Sequence, residues 1–191
     1  MMKNNELVEK KKTTLKGEII SWSLTIGATL LAVLLINTFV FRTVEVQGSS
    51  MYPTLSDGDR VIVWQLLYTP EFQDIIVLEH TTGDFHVKRI LGVPGDRVDY
   101  IGGELFVNEQ LISEPYIRNE PSEVGFLFDN LCQLTADLLD CDEIPAGYFL
   151  VLGDNRNNSG DSREYGLVHE SQIMGRATLR FLPFSAFGMV D

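Results

Sequence analysis

The chain is poor in the residues that hold metals and nucleotides. Its 191 residues include two cysteines and three histidines, with no Cys/His ligand spacing, no Walker loop and no GxGxxG motif. No cofactor and no metal is therefore implied. Basic residues are scarce as well: 15 Lys and Arg stand against 27 Asp and Glu, a formal charge of −12. Phosphate contacts depend on clustered cations, so nucleic acid is excluded as a partner. Repeats and low-complexity tracts are absent, and 45% apolar residues leave room for an ordinary core. The length fits one compact domain with at most a small second lobe.

One further lack is local. From Ile19 to Phe41, 23 residues carry no ionisable side chain, and thirteen of them are Ile, Leu, Val or Phe. Such a run gains about 4 to 8 kcal/mol on insertion, before Asn37 and the few Ser and Thr subtract from it. As a helix it reaches roughly 34 Å, enough to cross a bilayer with some tilt. A cleavable secretory signal has a shorter apolar stretch and a small-x-small site, whereas this run leads into Phe41-Arg42-Thr43-Val44-Glu45. Residues 19–41 therefore read as an uncleaved transmembrane anchor. The five lysines of residues 1–18 make that segment cytoplasmic by the positive-inside rule. Residues 42–191, with a net charge of −14, are then expected outside a plasma membrane crossed once.

Beyond the anchor, short alternating runs are separated by turn signals. Strands are expected at Thr43–Gln47, Arg60–Trp64, Ile75–Leu78, His86–Leu91, Arg97–Ile101, Glu104–Val107, Tyr148–Leu152 and Arg176–Phe181. Between Asn119 and Asn155 there is no Lys or Arg, and Phe126–Leu139 carries apolar residues near helical spacing. This reads as a short amphipathic helix inserted in a mainly β fold, its acidity a solvated face. Cys132 and Cys141 face an oxidising compartment, where a disulfide can form. An unbroken helix would hold them about 13.5 Å apart on opposite faces, so a bridge requires the helix to end before Cys141.

Two motifs carry chemistry. Gly48-Ser49-Ser50-Met51-Tyr52-Pro53-Thr54-Leu55 follows the first outer strand, and His86-Val87-Lys88-Arg89 puts a lysine into an otherwise apolar strand. A serine nucleophile needs a base, and His80, His86 and His169 all lack a triad setting. A lysine serves instead when burial brings its pKa from about 10.4 towards neutrality.

Four blocks in order now resemble bacterial type I signal peptidases, in the short single-anchor form typical of Gram-positive bacteria. Ser50-Met51-x-Pro53-Thr54-Leu55 resembles the nucleophile block, Gly58-Asp59-Arg60-Val61 the next, Val87-Lys88-Arg89-Ile90-x-Gly92-x-Pro94-Gly95-Asp96 the general-base block, and Gly153-Asp154-Asn155-Arg156-Asn157-Asn158-Ser159-Gly160-Asp161-Ser162-Arg163 the last. The resemblance implies an antiparallel β-sheet Ser/Lys protease core with a small cap lobe inserted at residues 96–147. It implies Ser50 as nucleophile, Lys88 as general base, and Ser159 as the group that orients Lys88. Asp161 and Arg163 would hold the site through an ion pair with neighbouring loop groups. Gly48 stands where Gram-negative relatives often have a hydroxyl oxyanion donor, leaving the Ser50 backbone N–H for that task. Asn157 stands where Asp is common.

The implied partners are secretory preproteins with small-x-small cleavage sites, the lipid bilayer, and a nearby protein translocation channel. The alternative is a catalytically silent, membrane-anchored binding or chaperone module of the same fold. A self-cleaving repressor-type protease shares Ser–Lys chemistry but needs an N-terminal DNA-binding domain. A structural cell-surface protein leaves Ser50, Lys88 and Ser159 unexplained.

Overall fold

The computed structural model describes residues 15–79, 84–117, 125–135 and 141–190, which divide into two compact units at residues 38/39. The first is the helix α1, Leu15–Phe39, long and apolar enough to cross a membrane. Its hydroxyls do not oppose that: Ser23, Thr25, Thr29 and Thr38 each donate to the carbonyl four residues back, at 2.8–2.9 Å. Such bonds satisfy a polar group without a partner helix or water.

The second unit is built on antiparallel pairing. Strands β1 (Phe41–Glu45), β2 (Arg60–Trp64), β3 (Ile75–Glu79) and β4 (Phe85–Gly92) precede a smaller sheet of β5 (Val98–Ile101), β6 (Glu104–Val107) and β7 (Gln110–Ile112). Then come α2 (Phe128–Leu134), β8 (Tyr148–Leu152), α3 (Ser162–Tyr165), β9 (Val168–His169), β10 (Ile173–Leu182) and β11 (Gly188–Met189). The main sheet runs β1-β2-β10-β3-β4-β8-β9, with β11 added to β10.

β3 explains why the sheet curls around two cores. Its run Ile75-Ile76-Val77-Leu78 is buried on both faces, so it lacks the polar alternation of a half-exposed strand. Ile75 and Val77 join Met51, Leu55, Val61, Val63 and Val87 on one side. Ile76 and Leu78 join Ile90, Phe149, Val151 and Val168 on the other. A third core, around Tyr100, Leu105, Phe128, Leu131, Ile144 and Leu150, lies under the β5–β7 sheet and α2.

Several expected boundaries move. The first strand after the helix occupies Phe41–Glu45 instead of Thr43–Gln47, because Phe41 pairs with Trp64 while Val46 already turns away and exchanges backbone bonds with Asp59 and Gly58. β5 starts at Val98, one residue late, since the Arg97 N–H is taken by Asn108 Oδ1. The expected helix Phe126–Leu139 is shorter: α2 starts at Phe128 and ends at Leu134, and Thr135 is extended. Thr135 Oγ1 donates to Leu131 O and accepts from Leu167 N, docking the chain against the segment after α3 and drawing it off the helical path. Residues 136–139 of that expectation lie outside the described residues. With the helix ended, Cys132 and Cys141 stand 6.0 Å apart at their Cα atoms and are disulfide-bonded.

Candidate active site

Ser50 follows β1 through a tight turn. Gly48, at φ +80°, lies in the left-handed region that side chains resist, and its N–H is held by Asp57 Oδ1 at 2.7 Å. The turn continues through a Tyr52 N–H bond to Ser49 O and a Leu55 N–H bond to Met51 O. Val46 before Ser50 and Met51 and Leu55 after it are buried in one cluster, so the loop is anchored in the core on both sides of Ser50.

Lys88 comes from β4 and is only 3% exposed. Its Nζ lies 3.0 Å from Ser50 Oγ and donates to Val87 O at 3.1 Å. Burial pulls its pKa down to about 8, while the negative charges of Asp161 and Glu164 push the other way. The structure thus brings together Ser50 and Lys88, 38 residues apart in sequence, with the amine's charge disfavoured by its surroundings.

The loop after β8 closes the site. Asn155 donates its backbone N–H to Ser50 O at 2.9 Å and its side chain to Ser49 O at 3.0 Å, and Asn158 Nδ2 donates to Ser49 Oγ at 2.7 Å. Gly153 is required: a Cβ there would overlap Ser159 Oγ and Ser50 O. Its N–H donates to Asp161, which also accepts from Arg163 Nε and Nη2 at 2.8 Å each. Asp161 and Arg163 therefore pair with each other and, through the Gly153 N–H and the Ser159 carbonyl, brace neighbouring groups of the loop.

Ser159 differs from expectation. Its hydroxyl packs beside Gly153 and the Ser50 carbonyl, yet among the described residues it has no hydrogen-bond partner. The bond to Lys88 is not formed in this structure. Of the histidines, His80 lies outside the described residues, and His86 sits on β4 opposite Leu78. His169 caps a short turn, accepting from Ser171 N at 3.2 Å with its edge against Tyr148.

Several groups around the site escaped sequence reasoning. Arg89, next to Lys88, makes a two-pronged pair with Asp154, both bonds 2.9 Å, and both side chains are almost fully buried. Thr54 donates to the same Asp154, which ties the Ser50 loop to the loop after β8. Asp59 receives Arg180 at 2.9 Å. Arg156 pairs with Glu114, from the segment after β7, and donates to Gly153 O. The repeated Asp and Arg of the matching blocks were the available signal, but their partners lie as many as 121 residues apart.

A cleft of about 300 Å³ is lined by Arg42, Val44 and Gln47 on the β1 side and by Phe85, from the strand that carries Lys88, and Met174. β1 is an edge strand, so its outer backbone groups are open to another strand. β8 meets β4 only from Arg89 onward, and among the described residues no strand pairs with the same edge of Phe85–Lys88.

The chain as a whole is similar in sequence to known proteins. Residues 19–182 match the family described as signal peptidase, peptidase S26. The chain is 38% identical over 181 residues to signal peptidase IB of Staphylococcus aureus strain COL, covering 91% of this chain and 94% of that one. It is 35% identical over 193 residues to signal peptidase I of Bacillus licheniformis, covering 97% and 100%. A crystal structure of a signal peptidase I from Enterococcus faecalis V583 superposes with a TM-score of 0.49 at 32% identity, covering 58% of this chain and 98% of that one. Matched from the apolar helix to the end of β10, and aligned along nearly the whole of these relatives, the chain belongs to the signal peptidase, peptidase S26 family.

Proposed function

We propose that this protein is a membrane-anchored serine endopeptidase that removes N-terminal signal peptides from secretory preproteins, with Ser50 as nucleophile and Lys88 as general base. The observation that carries the reading is a buried amine 3.0 Å from a serine hydroxyl, with its pKa lowered to about 8. Neutral Lys88 takes the Ser50 proton as Oγ attacks the carbonyl at the cleavage site. Backbone N–H donation from Ser50 stabilises the oxyanion. The lysine then protonates the leaving amine and activates a water that releases the acyl group. Protonation gives Lys88 donors beyond its bonds to Ser50 and Val87 O, and the buried Ser159 hydroxyl is the group we assign to receive one. Asp161 and Arg163 hold the loop that carries Ser159.

The substrate enters as a strand. Extended peptide pairs with the free edges of β1 and Phe85–Lys88, and its side chains before the scissile bond enter the cleft between them. The apolar helix spans the membrane with residues 1–18 in the cytoplasm and residues 42–191 outside, beside the translocation channel. Residues 96–147 form the cap over the core.

Full-length protein in detergent should cut a secretory preprotein at a small-x-small site, read as a new N-terminus by mass spectrometry. Ser50→Ala and Lys88→Ala should each lose about a thousandfold or more in rate. His86→Ala and His169→Ala should keep most of it. Near-normal cleavage by either of the first two variants would end the dyad assignment.

A further inference from the structure

The cleft between β1 and β4 has a definite far end. Four antiparallel pairings separate the two strands, β1 with β2, β2 with β10, β10 with β3 and β3 with β4, so β1 and β4 run in the same sense. Both lead towards the dyad: β1 runs from Arg42 in the direction of Ser50, and β4 runs from Phe85 to Lys88. At their starts, the Arg42 guanidinium lies 5.7 Å from the centre of the Phe85 ring, within cation–π reach. The next side chains on the same two faces are Val44 and Val87, and both pack in the apolar cluster that holds Met51, the residue after Ser50. The cleft is therefore bounded by Ser50 and Lys88 at one end and by Arg42 over Phe85 at the other.

Its length fixes which part of a substrate reaches that far end. Lys88 stands three residues after Phe85 on β4, about 10 Å of extended chain. A peptide strand with its scissile carbonyl at Ser50 Oγ thus lays about three residues beside β4 before it comes to Arg42, and its fourth and fifth residues meet the guanidinium.

The charge at this end follows from which groups are already engaged. Glu45 lies on the other face of β1 from Arg42 and is held by Arg60 at 3.0 Å. Asp84 also lines the cleft, and it is not without a partner. Arg42 is exposed and makes no ion pair or side-chain hydrogen bond among the described residues. Its contact with the Phe85 ring uses none of its N–H groups, so the donors that match a carboxylate stay available.

We infer that Arg42 is a specificity-determining residue, which reads the fourth and fifth residues before the scissile bond and favours acidic over basic side chains there. The inference rests on the peptidase reading and extends it. Small-x-small selection concerns the first and third residues before the bond, nearer the dyad.

The test uses full-length protein in detergent and three peptides that share one small-x-small site and carry Glu, Gln or Lys at both the fourth and fifth residues before the scissile bond. The kcat/KM ratio of the Glu to the Lys peptide should be about threefold to tenfold, as expected for an exposed charge that attracts one and repels the other. Arg42→Gln should bring the ratio close to one, Arg42→Glu should invert it, and high salt should flatten it in the native protein. Each ratio is taken on one enzyme, so a general effect of the substitution on folding or on the dyad cancels. Equal cleavage of the three peptides by the native protein, a preference for the Lys peptide, which would make Asp84 the governing charge, or a preference for the Glu peptide that survives Arg42→Gln would each overturn the assignment while leaving the peptidase reading intact. Failure to cut any of the three would overturn both.

Discussion

In the proposed reaction a buried lysine acts as a base at a cost in stability, and Lys88 makes that cost measurable. With a folded pKa of about 8 and an unfolded value near 10.4, the folded state binds fewer protons between those limits. Stability from this group is therefore lost as pH falls from about 10.4 to about 8, and the penalty stays constant below that. It amounts to about 3 kcal/mol at neutral pH. Lys88→Met removes the titration but also the bonds to Ser50 and Val87 O, together about 2 kcal/mol. The variant should be inactive, more stable than the native protein by about 1 kcal/mol at pH 7, and no more stable at pH 10.5. Denaturant unfolding at the two pH values checks this; a less stable variant at pH 7 would mean that Lys88 is charged in the fold. The rate of the native enzyme should rise about tenfold from pH 7 to pH 9, as the neutral fraction grows. Ser50 and Lys88 were legible in the sequence because each sits in a motif and the lysine interrupts an apolar strand. The Arg89–Asp154 pair was not, because nothing local in either segment states that two charges 65 residues apart will be buried against each other.

Among the elements, the segment after β7 does what its sequence hid. Glu114 accepts from Tyr116 Oη at 2.7 Å and pairs with Arg156, while the Tyr116 ring lies 3.9 Å from the Arg89 guanidinium. Arg156 in turn holds the Gly153 carbonyl beside Ser50. The segment after β7 thus contacts both Arg89 and Arg156. Glu114→Ala would leave a buried guanidinium without its counter-ion, costing about 3–5 kcal/mol, whereas Glu114→Leu combined with Arg156→Met should recover most of the loss. Unfolding curves of the single and double variants decide it: a Glu114→Ala cost under about 1 kcal/mol would mean that the pair carries little. β7 itself was missed because its hairpin turns on Asn108-Glu109, both at positive φ (51° and 65°), where a glycine would have marked the turn. β9 and β11, with two residues each, have no period to read. The central strands were legible because alternating or continuous apolar runs have few other ways to be buried.

The whole molecule joins a helix built for hydrocarbon to a unit with its own core, and the two make separable demands on the reaction. Three apolar clusters lie entirely within residues 39–191, so the second unit has the burial needed to fold without the helix. The helix contributes no side chain to the dyad; in the proposed function its role is to confine enzyme and substrate to one surface, which raises their effective concentration without adding contacts. Removing residues 1–38 should therefore change kcat/KM on a short soluble peptide by no more than about twofold, since the peptide gains nothing from the tether. The same truncation should slow cleavage of a preprotein whose signal segment is embedded in a vesicle by about tenfold or more, because encounter is then no longer confined to the bilayer. Parallel assays on the two substrates separate the effects. Equal losses on both would mean that the helix supports the site itself, and no loss on the vesicle-bound preprotein would mean that confinement is not what the anchor provides.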